Sequence, residues 1–277
     1  MEIVFFIAAL TSVFAVILIC LFLFVNGIPA MAEIGVFKFL LGKTWAPTDI
    51  PPAFGILPMI LGSLYITAGA ILIGVSVGLF TAVFLARFCP RKIYQWFKPF
   101  IEVLAGVPSV VYGFFGLVVL VPFVRNVFGG SGSSIFTASL LLGVMILPTI
   151  IGVVEASIRA VPPQYYEGAL ALGATHERSV FFAELPAASS GVVAGVVLGI
   201  GRAIGETMAV ILVAGNQARI PTGLFQGART LTSGIVLEMG YAAELHRGAL
   251  IATGVVLFVF ILMINFTFSY FKRRAFS

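Results

Sequence analysis

Long uncharged apolar runs dominate this chain, and their length decides how it is read. Uninterrupted stretches extend from Ile3 to Val25, Ile60 to Ala86, Val103 to Val124, Ile135 to Val154 and Gly248 to Phe271. A further one, Ala187 to Gly215, is broken only by Arg202 and Glu206. A helix crossing the hydrocarbon core of a bilayer needs roughly 20 apolar residues. The pattern therefore predicts six spanning helices, over 3–25, 58–88, 103–124, 135–158, 187–215 and 248–271. Barrel strands would instead alternate polarity over segments of about ten residues, so the expected class is an all-α membrane protein.

Composition strengthens that reading and removes others. Of 277 residues, 60% are hydrophobic and 10% charged, with mean hydropathy +1.14, well outside the range of a soluble domain. The spans leave only short connections, so residues 1–277 are expected to form one membrane domain with no soluble catalytic unit. The first run is too long for a signal-peptide core of about 7–15 residues, and Met1-Glu2 lacks a positive side chain, so Ala30-Met31-Ala32 is read as retained rather than cleaved. Cys20 lies mid-span and Cys89 at a helix end, which gives neither a disulfide framework nor a metal spacing.

Charge fixes an expected orientation. Arg87, Arg91, Lys92, Lys98, Arg159, Arg178, Lys272, Arg273 and Arg274 fall on one side, against Lys38, Lys43, Arg125, Arg219, Arg229 and Arg247 on the other. Nine against six predicts both termini in the cytoplasm. The net charge of +5 adds attraction for anionic headgroups, but no basic stripe with interleaved aromatics suggests nucleic acid.

Three connections lie on the opposite side. Residues 26–57 are rich in turn formers and predict an ordered cap; Gly129 to Ser134 reads as a flexible turn; 216–247 has the turn content to dip into the pore or touch a partner. On the cytoplasmic side, the loop 160–186 differs. Pro162-Pro163 opens a helix-forming stretch, in which Glu167, Ala169, Glu177 and Arg178 sit beside Leu170, Leu172, Val180, Phe181 and Phe182. That mixture predicts an amphipathic helix on the membrane surface, bent at Gly173. It serves either as a docking surface or as a helix resting on headgroups.

The charges inside a span are the strongest candidates for function. Arg202 and Glu206 are four apart and would share one face of a continuous helix. A lone charge near mid-bilayer costs at least about 2.5–3.5 kcal/mol and usually faces a bundle interior or aqueous path. Gly191, Gly195 and Gly199 on the same helix have the spacing that admits a close neighbour. Either the pair locks helix register, or Arg202 takes part in an anion's path while Glu206 poises or gates it. The planar guanidinium suits oxyanions such as phosphate.

Several features carry no chemistry. Gly42-Lys43-Thr44 lacks the upstream glycine of a phosphate-binding loop, since Phe37 stands there. Asn265 lies in a span, His176 and His246 read as ordinary loop residues, and Pro108, Pro148 and Tyr112 read as kinks and packing. No loop holds a nucleophile, acid/base or metal constellation, so no enzyme activity is expected.

Glu167-Gly168-Ala169, then Gly173, then Ala183-Glu184-Leu185-Pro186 resembles the EAA loop of ABC importer permeases, with Gly168 where the pattern has its first Ala and Ala183 where Ile is common. The runs Gly27 to Ala30, Trp45-Ala46-Pro47, Phe54 to Ser63, Pro108 to Gly113 and Gly201 to Ala209 look like the PstC-type phosphate permease family. This resemblance implies a type I importer permease fold of the MetI kind, with no cofactor in this chain and ATP bound by partner ATPase subunits. It implies a PstA-like sister permease, two cytoplasmic ATPases seated at Glu167, Gly168, Ala169, Gly173, Leu185 and Pro186, and an extracytoplasmic phosphate-binding protein. The residues themselves leave open another oxyanion, such as sulfate or molybdate, and a stand-alone secondary transporter or channel.

Overall fold

The computed structural model describes residues 1–275, with side chains through Thr267. Lys272, Arg273 and Arg274, used above for orientation, lie outside the described side chains. The chain opens with α1 (Glu2–Ile34) and α2 (Val36–Leu41), then a small antiparallel pair, β1 (Trp45–Ala46) and β2 (Ala53–Phe54). Next come α3 (Leu57–Val83), continued by a π-helical turn over Phe84–Phe88, then α4 (Arg91–Gly106), α5 (Ser109–Phe115) and α6 (Val121–Phe128). A second π turn, Gly116–Leu120, joins α5 to α6. The rest comprises α7 (Ile135–Arg159), α8 (Pro163–Ala171), α9 (His176–Ser179), α10 (Leu185–Ala187), α11 (Ser189–Gly205), α12 (Met208–Val213), α13 (Leu231–Glu238) and α14 (Glu244–Ala275).

Among the described residues, five stretches are long and apolar enough to cross a bilayer: Glu2–Ile34, Leu57–Phe88, Ser109–Phe128, Ile135–Arg159 and Glu244–Thr267. His176–Ala187 and Ser189–Gly205, bent by 71° where they meet, pass the same test only together, and counted as one span they make a sixth. The all-α, six-span expectation therefore holds, with corrections at three boundaries. The first helix continues past residue 25 and Pro29 to Ile34, so the cap begins later than residue 26. Membrane helices tolerate such prolines where neighbours re-satisfy the freed backbone groups.

The third span starts at Ser109 rather than 103. Val107, which precedes Pro108, is extended at φ −68° and ψ 127°, as the clash with the proline ring favours. Upstream, α4 becomes a separate amphipathic helix. It turns Ile93, Trp96, Phe97, Phe100 and Val103 outward and packs Tyr94 and Ile101 against the core. The fifth span, expected to run unbroken from 187 to 215, ends its helix at Gly205 and resumes at Met208.

The core is built where α3 and α7 lie together, with α11 covering α7. Ile66, Ala70, Met145, Ile146, Ile150 and Val154 form its centre. Because lipid tails are as apolar as leucine, close van der Waals packing holds such helices together rather than a hydrophobic drive. A second cluster joins Phe39, Trp45, Phe54, Ile56 and Met59 to Leu231 and Leu250, and this is the ordered cap that the turn-rich connection predicted.

Candidate functional site

The glycine stripe of α11 faces α7. A side chain at Gly191 would overlap the Ser157 hydroxyl, and a Cβ at Gly195 or Gly199 would stand 2.9 Å from Val154 Cγ2 or 2.8 Å from Ile150 Cγ1. That contact carries Arg202, one turn beyond Gly199, to Thr149 near the middle of α7. Its Nη1 donates to Thr149 Oγ1 at 3.3 Å. Among the described residues this is the only hydrogen bond from a guanidinium with five N–H groups to donate. A Cβ placed at Gly201 or Gly205 would meet no described atom within 4 Å. Arg202 thus stands half-buried beside open space.

Glu206 does not share a helical face with Arg202, and no ion pair joins them among the described residues. Its backbone is extended, at φ −70° and ψ 128°, and its carboxylate turns toward α12. There Oε1 accepts from the Thr207 and Ala209 amides, each at 3.2 Å, taking up N–H groups that the first turn of a helix cannot pair internally. Thr207 Oγ1 donates to the Gly205 carbonyl at 3.2 Å, and Thr232 Oγ1 donates to the Glu206 carbonyl at 3.1 Å. An unpaired backbone group at membrane depth costs several kcal/mol, so these side chains are what permit the break. The i,i+4 geometry expected from spacing fails because Gly205 adds no side-chain packing and its neighbours supply the substitute bonds.

The loop 160–186 folds as two helical pieces on either side of Gly173, where the bend was expected. α8 ends at Ala171 with Leu172 as its cap, and Gly173 turns the chain at φ +83°, a left-handed conformation that glycine adopts without a Cβ penalty. Its amide donates to the Leu170 carbonyl, and that of Ala174 to the Ala169 carbonyl. Thr175 then caps α9 by accepting the Arg178 amide. The halves are fastened by a 2.7 Å hydrogen bond between Tyr166 Oη and His176 Nδ1, with the His176 ring 4.8 Å from that of Phe88. His176 is therefore a structural pin and not an idle loop residue. Glu167, Gly168, Gly173 and Pro186 are exposed, while Ala169 and Leu185 are half-buried. Around them Tyr165, Leu170, Leu172 and Phe182 present apolar surface outward. Beneath, the fully buried Glu184 pairs with Arg87, binding the loop to the end of α3.

Two further clusters, around Glu155 and Glu238, were not singled out by spacing. Glu155, 2% exposed, accepts from Tyr94 Oη at 2.7 Å, Lys98 Nζ at 2.8 Å and Arg159 Nε at 2.9 Å. Arg159 also donates to the Leu85 carbonyl at 2.8 Å, and Arg87 to the Ile158 carbonyl at 3.3 Å. Burial works against the Lys98 charge, but the Glu155 hydrogen bond and carboxylate outweigh it and hold the ammonium above the usual lysine range. The phenol's own hydrogen bond to Glu155, helped by burial, raises Tyr94 above the usual range. In the cap, buried Glu238 accepts from Trp45 Nε1 and meets His246 Nε2, both at 2.9 Å, and also pairs with Arg229. His246 is thus a second histidine fixed in place. Of these, only the Glu155–Arg159 i,i+4 spacing was open to view in the sequence.

Residues 74–277 match the family described as binding-protein-dependent transport system inner membrane component. The chain is 39% identical over 267 residues to the probable ABC transporter permease protein YqgH of Bacillus subtilis, covering 93% of this chain and 86% of that one. It is 35% identical to the phosphate transport system permease protein PstC of Mesorhizobium japonicum, covering 87% and 80%. To PstC of Haemophilus influenzae it is 36% identical, covering 82% and 78%. Among solved structures, an inward-facing MetNI methionine ABC transporter matches with TM-score 0.65 at 22% identity, over 79% of this chain and 95% of that one, a likeness of fold alone. The expected MetI-like permease architecture therefore holds, and the chain belongs to the family of binding-protein-dependent transport system inner membrane components.

Proposed function

We propose that this chain is the transmembrane permease subunit of an ATP-driven importer of inorganic phosphate. It forms half of the translocation pathway and does no covalent chemistry itself. The observation that carries this reading is Arg202: a guanidinium at mid-span, held by one long hydrogen bond to Thr149 beside open space. A planar array of under-used donors suits a tetrahedral oxyanion in transit, and weak engagement lets the ion leave again. That the anion is phosphate is supported by relatives named phosphate transport system permease proteins.

In this reading a PstA-like sister permease supplies the other half of the pathway, and two cytoplasmic ATPase subunits bind the ATP. They seat on the loop around Glu167, Gly168, Ala169, Gly173, Leu185 and Pro186, whose outward apolar side chains suit a protein partner. Their motion enters the spans through Glu184 and Arg87. A phosphate-binding protein docks on the opposite face, against the cap. Both termini are cytoplasmic, which accords with Arg87, Lys98 and Arg159 meeting at the loop end of α7 under the positive-inside rule.

The test is reconstitution of the chain with its co-expressed neighbours in liposomes. Phosphate uptake should require ATP and the loaded binding protein, and a tenfold excess of sulfate should not compete. Effective competition by sulfate would replace phosphate with a broader oxyanion class. Uptake by this chain alone without nucleotide would make it a channel or secondary transporter.

A further inference from the structure

The connection between α12 and α14 carries one short helix whose two ends are fastened to different parts of the molecule. At the start of α13, Thr230 and Ser233 form a reciprocal capping box, which fixes the first turn. The Leu231 amide donates to Ser63 Oγ of α3 at 3.0 Å. The next residue, Thr232, places its hydroxyl on the Glu206 carbonyl at 3.1 Å, at the gap between α11 and α12. Thr232 is 7% exposed, so its hydroxyl has few other partners to choose from.

The far end of α13 is Glu238, 5% exposed. Its carboxylate takes the Trp45 indole N–H from β1, meets His246 from the first turn of α14, and pairs with Arg229. The eight residues of α13 span about 12 Å at 1.5 Å each. A helix this short, boxed at one end and ion-paired at the other, has no internal joint. Displacement of the Trp45 hairpin therefore arrives at the Glu206 peptide.

We propose that α13 is a rod connecting the cap around Trp45 to the break at Glu206, and that Thr232 is a positioning residue whose hydroxyl sets the Glu206 peptide. When Thr232 lets go, the Glu206 carbonyl loses its partner and the peptide turns. The carboxylate then leaves the Thr207 and Ala209 amides, and the first turn of α12 opens. The consequence for transport rests on the phosphate-importer reading, in which the cap is where the binding protein lands. The mechanical link does not depend on what is carried.

The experiment is amide hydrogen exchange on the full chain, purified with its co-expressed partners in lipid nanodiscs. Thr232→Val keeps the shape and removes the hydroxyl; Thr232→Ser keeps the hydroxyl; Trp45→Phe removes the indole donor at the far end, and Glu238→Gln weakens the same junction from the helix side. Thr232→Val, Trp45→Phe and Glu238→Gln should each speed exchange at residues 206–209 by about tenfold, within the usual span of coupling between sites. Thr232→Ser should restore the wild-type rate, exchange in 163–187 should stay unchanged, and Trp45→Phe with Thr232→Val should add little to either alone. Wild-type exchange at 206–209 in both Trp45→Phe and Glu238→Gln would overturn the rod, and so would independent, multiplying effects in the double variant. Phosphate uptake, measured on the same preparation, decides the transport reading separately. A wild-type assembly that imports none sinks that reading while the exchange result still judges α13.

Discussion

Two charged residues of the membrane region, Glu155 and Arg202, are handled in opposite ways. The Glu155 carboxylate receives three donors between 2.7 and 2.9 Å, and these come from two helices, α4 and α7. Arg202 has one partner at 3.3 Å and open space alongside. A carboxylate with both oxygens engaged holds helices together. A guanidinium left mostly unengaged is, in the proposed reading, available to an anion that comes and goes.

The comparison breaks most sharply by removing each group in turn. Glu155→Ala strands Lys98 and Arg159 and should lower stability by about 3 kcal/mol, the low end for a broken buried pair because both cations are partly exposed. A thermal melt in detergent should show the loss, while uptake per folded molecule stays near normal. Arg202→Ala should do the reverse. Uptake falls about a hundredfold, a loss of the order of one strong transition-state contact, while the assembled complex elutes and melts as wild type. Normal uptake in Arg202→Ala at normal expression would remove Arg202 from the pathway.

A smaller effect is expected at the docking loop. Gly173→Val forces a β-branched residue to φ +83°, at a local cost of about 1–2 kcal/mol. It should lower the ATPase stimulation produced by loaded binding protein without unfolding the spans, and unchanged stimulation would argue against docking at this turn. The smallest effect is a titration. Lys98 is held above the lysine range in the folded chain, so its contribution is complete below the unfolded value of about 10.4. It fades as pH rises through the higher folded value. Melting temperature should therefore begin to fall above about pH 10.4, and Lys98→Met should flatten that decline.

The spans were legible because hydrocarbon length alone dictates them, and Arg202 because a charge inside such a run has no bland surroundings to hide in. The turn at Gly173 was legible for a similarly local reason, since only its φ is unusual. The break at Glu206 was not. It depends on the Thr232 hydroxyl, 26 residues away in sequence, and nothing near Gly205 announces that partner. Glu155 was overlooked because it ends an uncharged run and looks like an ordinary boundary residue. Its partners Lys98 and Tyr94 lie 57 and 61 positions earlier, joined to it only by folding. Pro108 was visible, but read as a kink it concealed that the chain leaves the helix there and lays α4 down as a separate piece.

The seam between α11 and α7 carries a mechanical consequence. At Gly191, Gly195 and Gly199 the α7 side chains of Ser157, Val154 and Ile150 fill the space a Cβ would take, so parting the helices sideways would open a void with nothing to fill it. Because the side chains at these points protrude from α7 alone, against a strip of glycines on α11, the seam has few interlocking teeth to resist travel lengthwise. The easy motion of α11 is then a slide along its own axis, and such a slide carries the guanidinium of Arg202 toward one leaflet or the other.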